Sequence, residues 1–170
     1  VDVVVSGLVL NFVPDHLAAL TEMKRVAVPG GTIAAYVWDY AEKMELMRHF
    51  WDAAISLDAS VAHLDELVRF PVCRPEPLKR LFADAGLQDI EVSAIDIATP
   101  FVSFDDYWAP FLGGQGPAPS DAMSLDEAAR QRLRDTLKQR IAANPDGSIA
   151  MIARAWAVRA TAPGEGVAAG

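Results

Sequence analysis

The chain has 170 residues, 52% of them hydrophobic, and a formal net charge of −8. This length predicts one domain with a real core, and the apolar content excludes a disordered chain. An acidic chain without a basic patch excludes nucleic acid and an anionic membrane as partners. No apolar run reaches the roughly 18 residues of a membrane span. The single cysteine, Cys73, excludes an internal disulfide and fits the reducing cytoplasm.

Taken in order, Asp2 to Ser6 is a short run of β-branched residues, apolar on both faces, which predicts a strand inside a parallel sheet. Asp15 is placed to cap the helix that follows. Leu17, Leu20, Met23 and Val26 recur on one helical face. Pro29-Gly30-Gly31 ends that helix, and Thr32 to Trp38 reads as a second buried strand. Strand, helix and strand make one βαβ unit over residues 1–39.

Ala41 to Leu57 predicts a helix with Met44, Met47, Phe50, Trp51, Ala54 and Ile55 on its apolar face. Ser60 to Arg74 is less regular. Pro75 to Ala85 reads as a short helix closed by Gly86, followed by a strand over Gln88 to Ile97 whose alternation changes phase at Ala94-Ile95. Residues 98–123 break the pattern. Phe101, Phe104, Tyr107, Trp108 and Phe111 are five of the chain's fourteen aromatic residues, and a Gly/Pro-rich loop follows them. Two readings stay open there: a satellite hydrophobic cluster or an aromatic pocket wall. Ser124 and Glu127 fit a capping box opening a helix with Leu125, Ala129, Leu133, Leu137 and Ile141 on one face. Asn144-Pro145-Asp146-Gly147 marks a turn, Ser148 to Arg159 a last strand, and residues 161–170 an Ala/Gly/Pro-rich flexible tail.

The first unit carries a resemblance. Ser6, Leu10, Phe12, Val13, Pro14 and Asp15, then Ala19, Leu20, Glu22, Met23, Arg25 and Val26, then Pro29, Gly30 and Gly31 resemble the middle of a class I S-adenosylmethionine-dependent methyltransferase. The resemblance is to small-molecule members of the ubiquinone-biosynthesis type. It implies that residues 1–39 are the family's fourth strand, its helix and the fifth strand. Residues 75–97 and 148–159 then resemble the sixth and seventh strands with their helices. The implied fold is α/β: the C-terminal part of a Rossmann-like sheet in the order 4, 5, 7, 6, with the seventh strand antiparallel and helices flanking it. On this reading residues 1–160 are a partial methyltransferase domain, with residues 40–74 a lid-like segment and 98–123 an insertion.

The family binds its cofactor on a Gly-rich loop after the first strand, where only glycine lets backbone approach closely. The cluster Gly113-Gly114-Gln115-Gly116 follows no strand and reads as a loop. The chain by itself is therefore expected to leave the S-adenosylmethionine site incomplete. Ligands in open α/β sheets bind beyond the carboxyl ends of the parallel strands. By resemblance, Ser6, Gly7, Leu8 and Asn11 contact the cofactor. Trp38, Asp39 and Tyr40 line the substrate, joined by Tyr107, Trp108 and Phe111 if the aromatic segment is a pocket wall. Helix capping is the competing role for Asp39. The histidines His16, His49 and His63 have no ligand spacing, and no metal is expected. No catalytic triad is evident, and none is required, because a sulfonium methyl is already activated and needs chiefly alignment and dryness.

These readings imply methyl transfer to a small-molecule acceptor. The alternatives are a non-catalytic remnant acting as an association module and, more distantly, a dehydrogenase. Val3, Val4 and Val5 would form an exposed apolar edge, which folded proteins avoid. A second copy or an N-terminal half is expected to cover it.

Overall fold

In the computed structural model, which describes residues 1–164, strand β1 (Val3–Gly7) lies parallel to β2 (Thr32–Trp38), with Val3 opposite Thr32 and Gly7 opposite Tyr36. Helix α1 (His16–Val26) connects them. Asp15 caps it as expected, its carboxylate accepting from the Ala18 N–H at 2.9 Å. The turn after α1 is tied to both strands: the Val28 N–H donates to the Val1 carbonyl and the Thr32 N–H to that of Asp2. Both glycines of the turn have a physical reason. Gly30 sits at φ +76, and a Cβ on Gly31 would meet the Val28 carbonyl oxygen at 2.9 Å and that of Asp2 at 3.1 Å.

Helix α2 (Glu45–Leu57) is followed by a 3-10 segment, Ala59–Leu64, and the single turn α3 (Glu66–Arg69). Helix α4 (Pro75–Asp84) ends at Gly86, whose φ of +73 is the left-handed conformation expected there. Strand β3 is Gln88–Ala98. Helix α5 (Phe104–Trp108) runs into a 3-10 segment, Ala109–Gly113, and α6 (Pro117–Ser124), α7 (Glu127–Arg140) and β4 (Ile152–Thr161) complete the chain. The four strands form one sheet in the order β1-β2-β4-β3, with β4 antiparallel to β2. That is the order and the antiparallel last strand implied by the family resemblance.

The chain divides into two compact units. Unit 1 comprises residues 1–39, 71–95 and 155 onward and contains the βαβ element, α4 and most of the sheet. Leu20, Ile33, Val37, Leu78, Phe82 and Val158 are buried in it. The expected apolar face of α1 is buried only at Leu20; Leu17 and Val26 are exposed. Val3 and Val5 on the outer strand β1 are 57% and 60% exposed.

Unit 2 comprises residues 40–70 and 96–154. Its core joins Phe50, Trp51 and Ala54 of α2 to Tyr107, Phe111, Leu133 and Leu137. Phe50 stacks on Phe111 at 4.6 Å, and Tyr107 meets Phe101 edge to face at 5.5 Å. Trp51 donates its indole N–H to the buried carboxylate of Glu66. Arg48 bridges Asp65 at 2.7 Å and Asp52 at 2.9 Å.

Three sequence expectations change. The break over residues 98–123 is mostly helical: Ser103 Oγ accepts from the Asp106 N–H at 3.2 Å while Asp106 accepts from the Val102 N–H at 3.0 Å, a reciprocal cap that starts α5. Ser124 ends α6 instead of opening α7, and the α7 cap is Asp126, which accepts from the Ala129 N–H at 2.7 Å. Of the tail expected over 161–170, Thr161 lies in β4, and Ala162 exchanges backbone hydrogen bonds with Gly30 and Gly31. Residues 165–170 lie outside the described residues.

Two consequences are measurable. Gly31→Ala forces a methyl against two carbonyl oxygens and is expected to lower stability by about 1–3 kcal/mol in urea unfolding; an unchanged midpoint would contradict the tight turn. Burial raises the Glu66 carboxyl above its ordinary value of 4.5, with the Trp51 bond opposing. The folded chain thus holds that proton more tightly than the unfolded one. This contribution to stability is present below the ordinary value and falls as pH rises through the raised one. Glu66→Gln should flatten the stability profile in that window. Glu66→Leu should cost about 1–3 kcal/mol by leaving the indole N–H unpaired.

Candidate ligand site at the ends of strands β1 and β2

Because β1 and β2 are parallel, their carboxyl ends lie on the same side of unit 1. The Leu8 N–H donates to the Tyr36 carbonyl at 2.8 Å, extending the ladder one residue beyond β1. There the chain bends sharply. Leu8 has φ +56, a left-handed conformation unfavourable for a branched side chain. Such strain persists only where the surroundings enforce it, and it concentrates at ligand sites. The Tyr36 ring lies over Gly7, so a Cβ there would push the hydroxyl end of that 37% exposed side chain aside.

The 3-10 segment Leu10–Phe12 follows and packs against β2. Leu10 anchors it at 1% exposure, while Phe12 points outward at 60%. Asn11 is 6% exposed, and its Nδ2 is buried without a hydrogen-bond partner among the described residues. The Nε2 of His16, at the start of α1, is likewise buried and unpartnered. An orphaned amide donor costs free energy unless something accepts from it. The sequence singles out Asn11, whereas it shows His16 only as a histidine without metal-ligand spacing.

At the end of β2, Trp38 is half-buried and Asp39 is 1% exposed. Asp39 does not cap α2. That helix begins at Glu45, and its N-cap, Met44, makes no side-chain capping bond. Cys73 is buried in the same unit, and burial together with the Asp39 charge pushes its thiol up to about 12. It is a packing residue without nucleophilic character.

The structure thus brings Ser6, Gly7, Leu8, Asn11, Trp38 and Asp39 into unit 1. The other four named residues belong to unit 2. The Tyr40 ring lies 5.8 Å from that of Phe70. Tyr107, Trp108 and Phe111 are 0%, 5% and 1% exposed and pack on one another, and the Tyr107 hydroxyl donates to the Leu46 carbonyl at 3.1 Å. Of the two readings of the aromatic segment, the structure has the hydrophobic cluster, which is the core of unit 2. Gly113 to Gly116 link a 3-10 segment to α6 in the same unit. Among the described residues no helix is long and apolar enough to cross a membrane.

Comparison with known proteins finds a family match and several structural likenesses. Residues 1–35 match the model of a methyltransferase domain. No curated protein sequence matches the chain. Among solved structures, a provisionally described methyltransferase from Bacillus halodurans C-125 is 14% identical with a TM-score of 0.49; the match covers 95% of this chain and 64% of that one. The YcgJ protein from Bacillus subtilis is 16% identical with a TM-score of 0.46, over 97% of this chain and 64% of that one. Phosphoethanolamine N-methyltransferase 2 of Haemonchus contortus, in complex with phosphomonomethylethanolamine and S-adenosylhomocysteine, is 14% identical with a TM-score of 0.43, over 96% of this chain and 33% of that one. The chain therefore spans less than two thirds of the length of each of these structures. The matched residues 1–35 cover β1, the strained turn after it, the orphaned Asn11 amide, α1 and the first half of β2, and over this stretch the chain is similar to a methyltransferase domain.

Proposed function

We propose that this chain serves S-adenosylmethionine-dependent methyl transfer to a small-molecule acceptor and supplies one wall of the cofactor site. The observation that carries this reading is the buried, unpartnered Asn11 Nδ2 beside the strained Leu8, both within the matched residues. A donor waiting for an acceptor fits the amino-acid end of the cofactor, which carries a carboxylate.

The cofactor, when bound, supplies a methyl group on a positively charged sulfur. The work of the chain is to bind, align and keep water out. Ser6, Gly7 and Leu8 would present backbone to the methionine portion, and Asn11 Nδ2 would donate to its acceptor atoms. Trp38 and Asp39 would flank the methyl acceptor, with Asp39 orienting an acceptor hydroxyl or amine. Tyr107, Trp108 and Phe111 take no part, being spent in the core of unit 2. The Gly-rich cofactor loop of the family is not among these 170 residues, so the wall binds cofactor weakly by itself. The same proposal places a further strand, from a second copy or a separate segment, against the edge at Val3, Val4 and Val5.

Calorimetric titration with S-adenosylhomocysteine tests this. Binding is expected near the millimolar range, about 4 kcal/mol. Asn11→Leu should weaken it about tenfold while leaving the ligand-free chain at least as stable, because the variant removes an unsatisfied donor. A folded chain that binds none, or binds equally well as Asn11→Leu, would contradict the assignment.

A further inference from the structure

A second site lies within unit 2, away from the residues used above and independent of the methyl-transfer reading. The end of α2, the 3-10 segment after it, α6 and α7 enclose a cavity of about 300 Å³. That is the lower end of the range for small-molecule pockets. Leu57, Val61, Leu125 and Leu133 give it apolar walls. Asp121, also in the wall, is 8% exposed, and among the described residues its carboxyl group has no hydrogen-bond or ion-pair partner. A carboxylate this deeply buried loses most of its hydration, and without a partner its charged form is penalised where an apolar residue would pack freely.

The other charges at the cavity are Asp58 and Arg132, and both are exposed. Asp58 accepts from the Ser60 N–H at 2.8 Å, and its hydrogen bonds to Ser60 hold its carboxyl below the usual range, so it stays ionised. Burial, then the Asp58 charge, raises the Asp121 carboxyl. The cavity thus carries two acids against one base. The single cation, Arg132, is exposed, where solvent and screening weaken its pull on the largely buried Asp121. The missing component is a positive hydrogen-bond donor inside the cavity.

We infer that this cavity is a binding site for a small organic ammonium ion with an apolar body, the ammonium resting on Asp121 near Asp58 and the body against Leu57, Val61, Leu125 and Leu133. An anion is disfavoured by both acids. A neutral molecule of the same shape gains the apolar contacts but leaves the Asp121 charge unpaired.

The test uses benzylamine, protonated at neutral pH, and benzyl alcohol, titrated into the full chain with the methyl signals of those four residues followed by NMR. Benzylamine should shift these signals saturably and bind about ten- to hundredfold more tightly than the alcohol, the usual worth of a charge-assisted bond. Asp121→Asn keeps the shape and should remove that preference while leaving alcohol binding unchanged. Ala129→Leu, which fills the cavity from α7, should abolish both and guards against a folding defect in the first variant. Equal affinity for amine and alcohol, unchanged amine binding by Asp121→Asn, or no shift of these methyls would overturn the inference.

Discussion

The parallel pairing of β1 with β2 is the constraint on which the rest of unit 1 depends. Parallel strands need a crossover connection, and α1 provides it with a cap at Asp15 and a glycine turn at its far end. Gly31 matters through what it lacks, since the Val28 and Asp2 carbonyls occupy the space of a side chain. Once the turn is closed, register is fixed from Val3–Thr32 to Gly7–Tyr36. Register in turn decides that Leu8 leaves the sheet beside Tyr36. The polar and strained groups at that end are consequences of the pairing, with Asn11 left holding an unused donor.

Unit 2 is organised on a different principle. Its helices are short, and short helices have little stability of their own. Aromatic packing around Phe50 and Phe111 holds them instead, with Glu66 and Asp65 buried as partners of Trp51 and Arg48. Such pairs add little net stability over apolar packing, but removing one member strands the other. Asp121 stands apart because the described residues offer it no such partner.

Much of unit 1 was legible in the sequence because its signals are local. Val3 to Val5, the Asp15 cap, Pro29-Gly30-Gly31 and Gly86 each act within a few residues, and the strand order followed from the family resemblance. The helices of segment 98–123 were not legible because four prolines and three glycines interrupt it. Its helix start is written in Ser103 and Asp106, a spacing that a search limited to Glu or Gln passes over. Ser124 and Glu127 had the right spacing for a cap, yet Asp126 took the role because α6 continues through Ser124. The exposure of Leu17 and Val26 was not readable from periodicity, which reports a face but not what covers it. Likewise Asn11 was visible as a polar residue near the site, while its unsatisfied amide emerges only once Leu10 and β2 are packed around it.

The central claim is that the carboxyl end of the β1–β2 pair is the cofactor wall. Photolabelling the chain with an azide-bearing analogue of S-adenosylhomocysteine, followed by peptide mapping, tests it most directly. The account predicts label in residues 6–11, competed away by unlabelled S-adenosylhomocysteine. Competable label confined to unit 2 or to β3, with residues 6–11 unmodified, would contradict it.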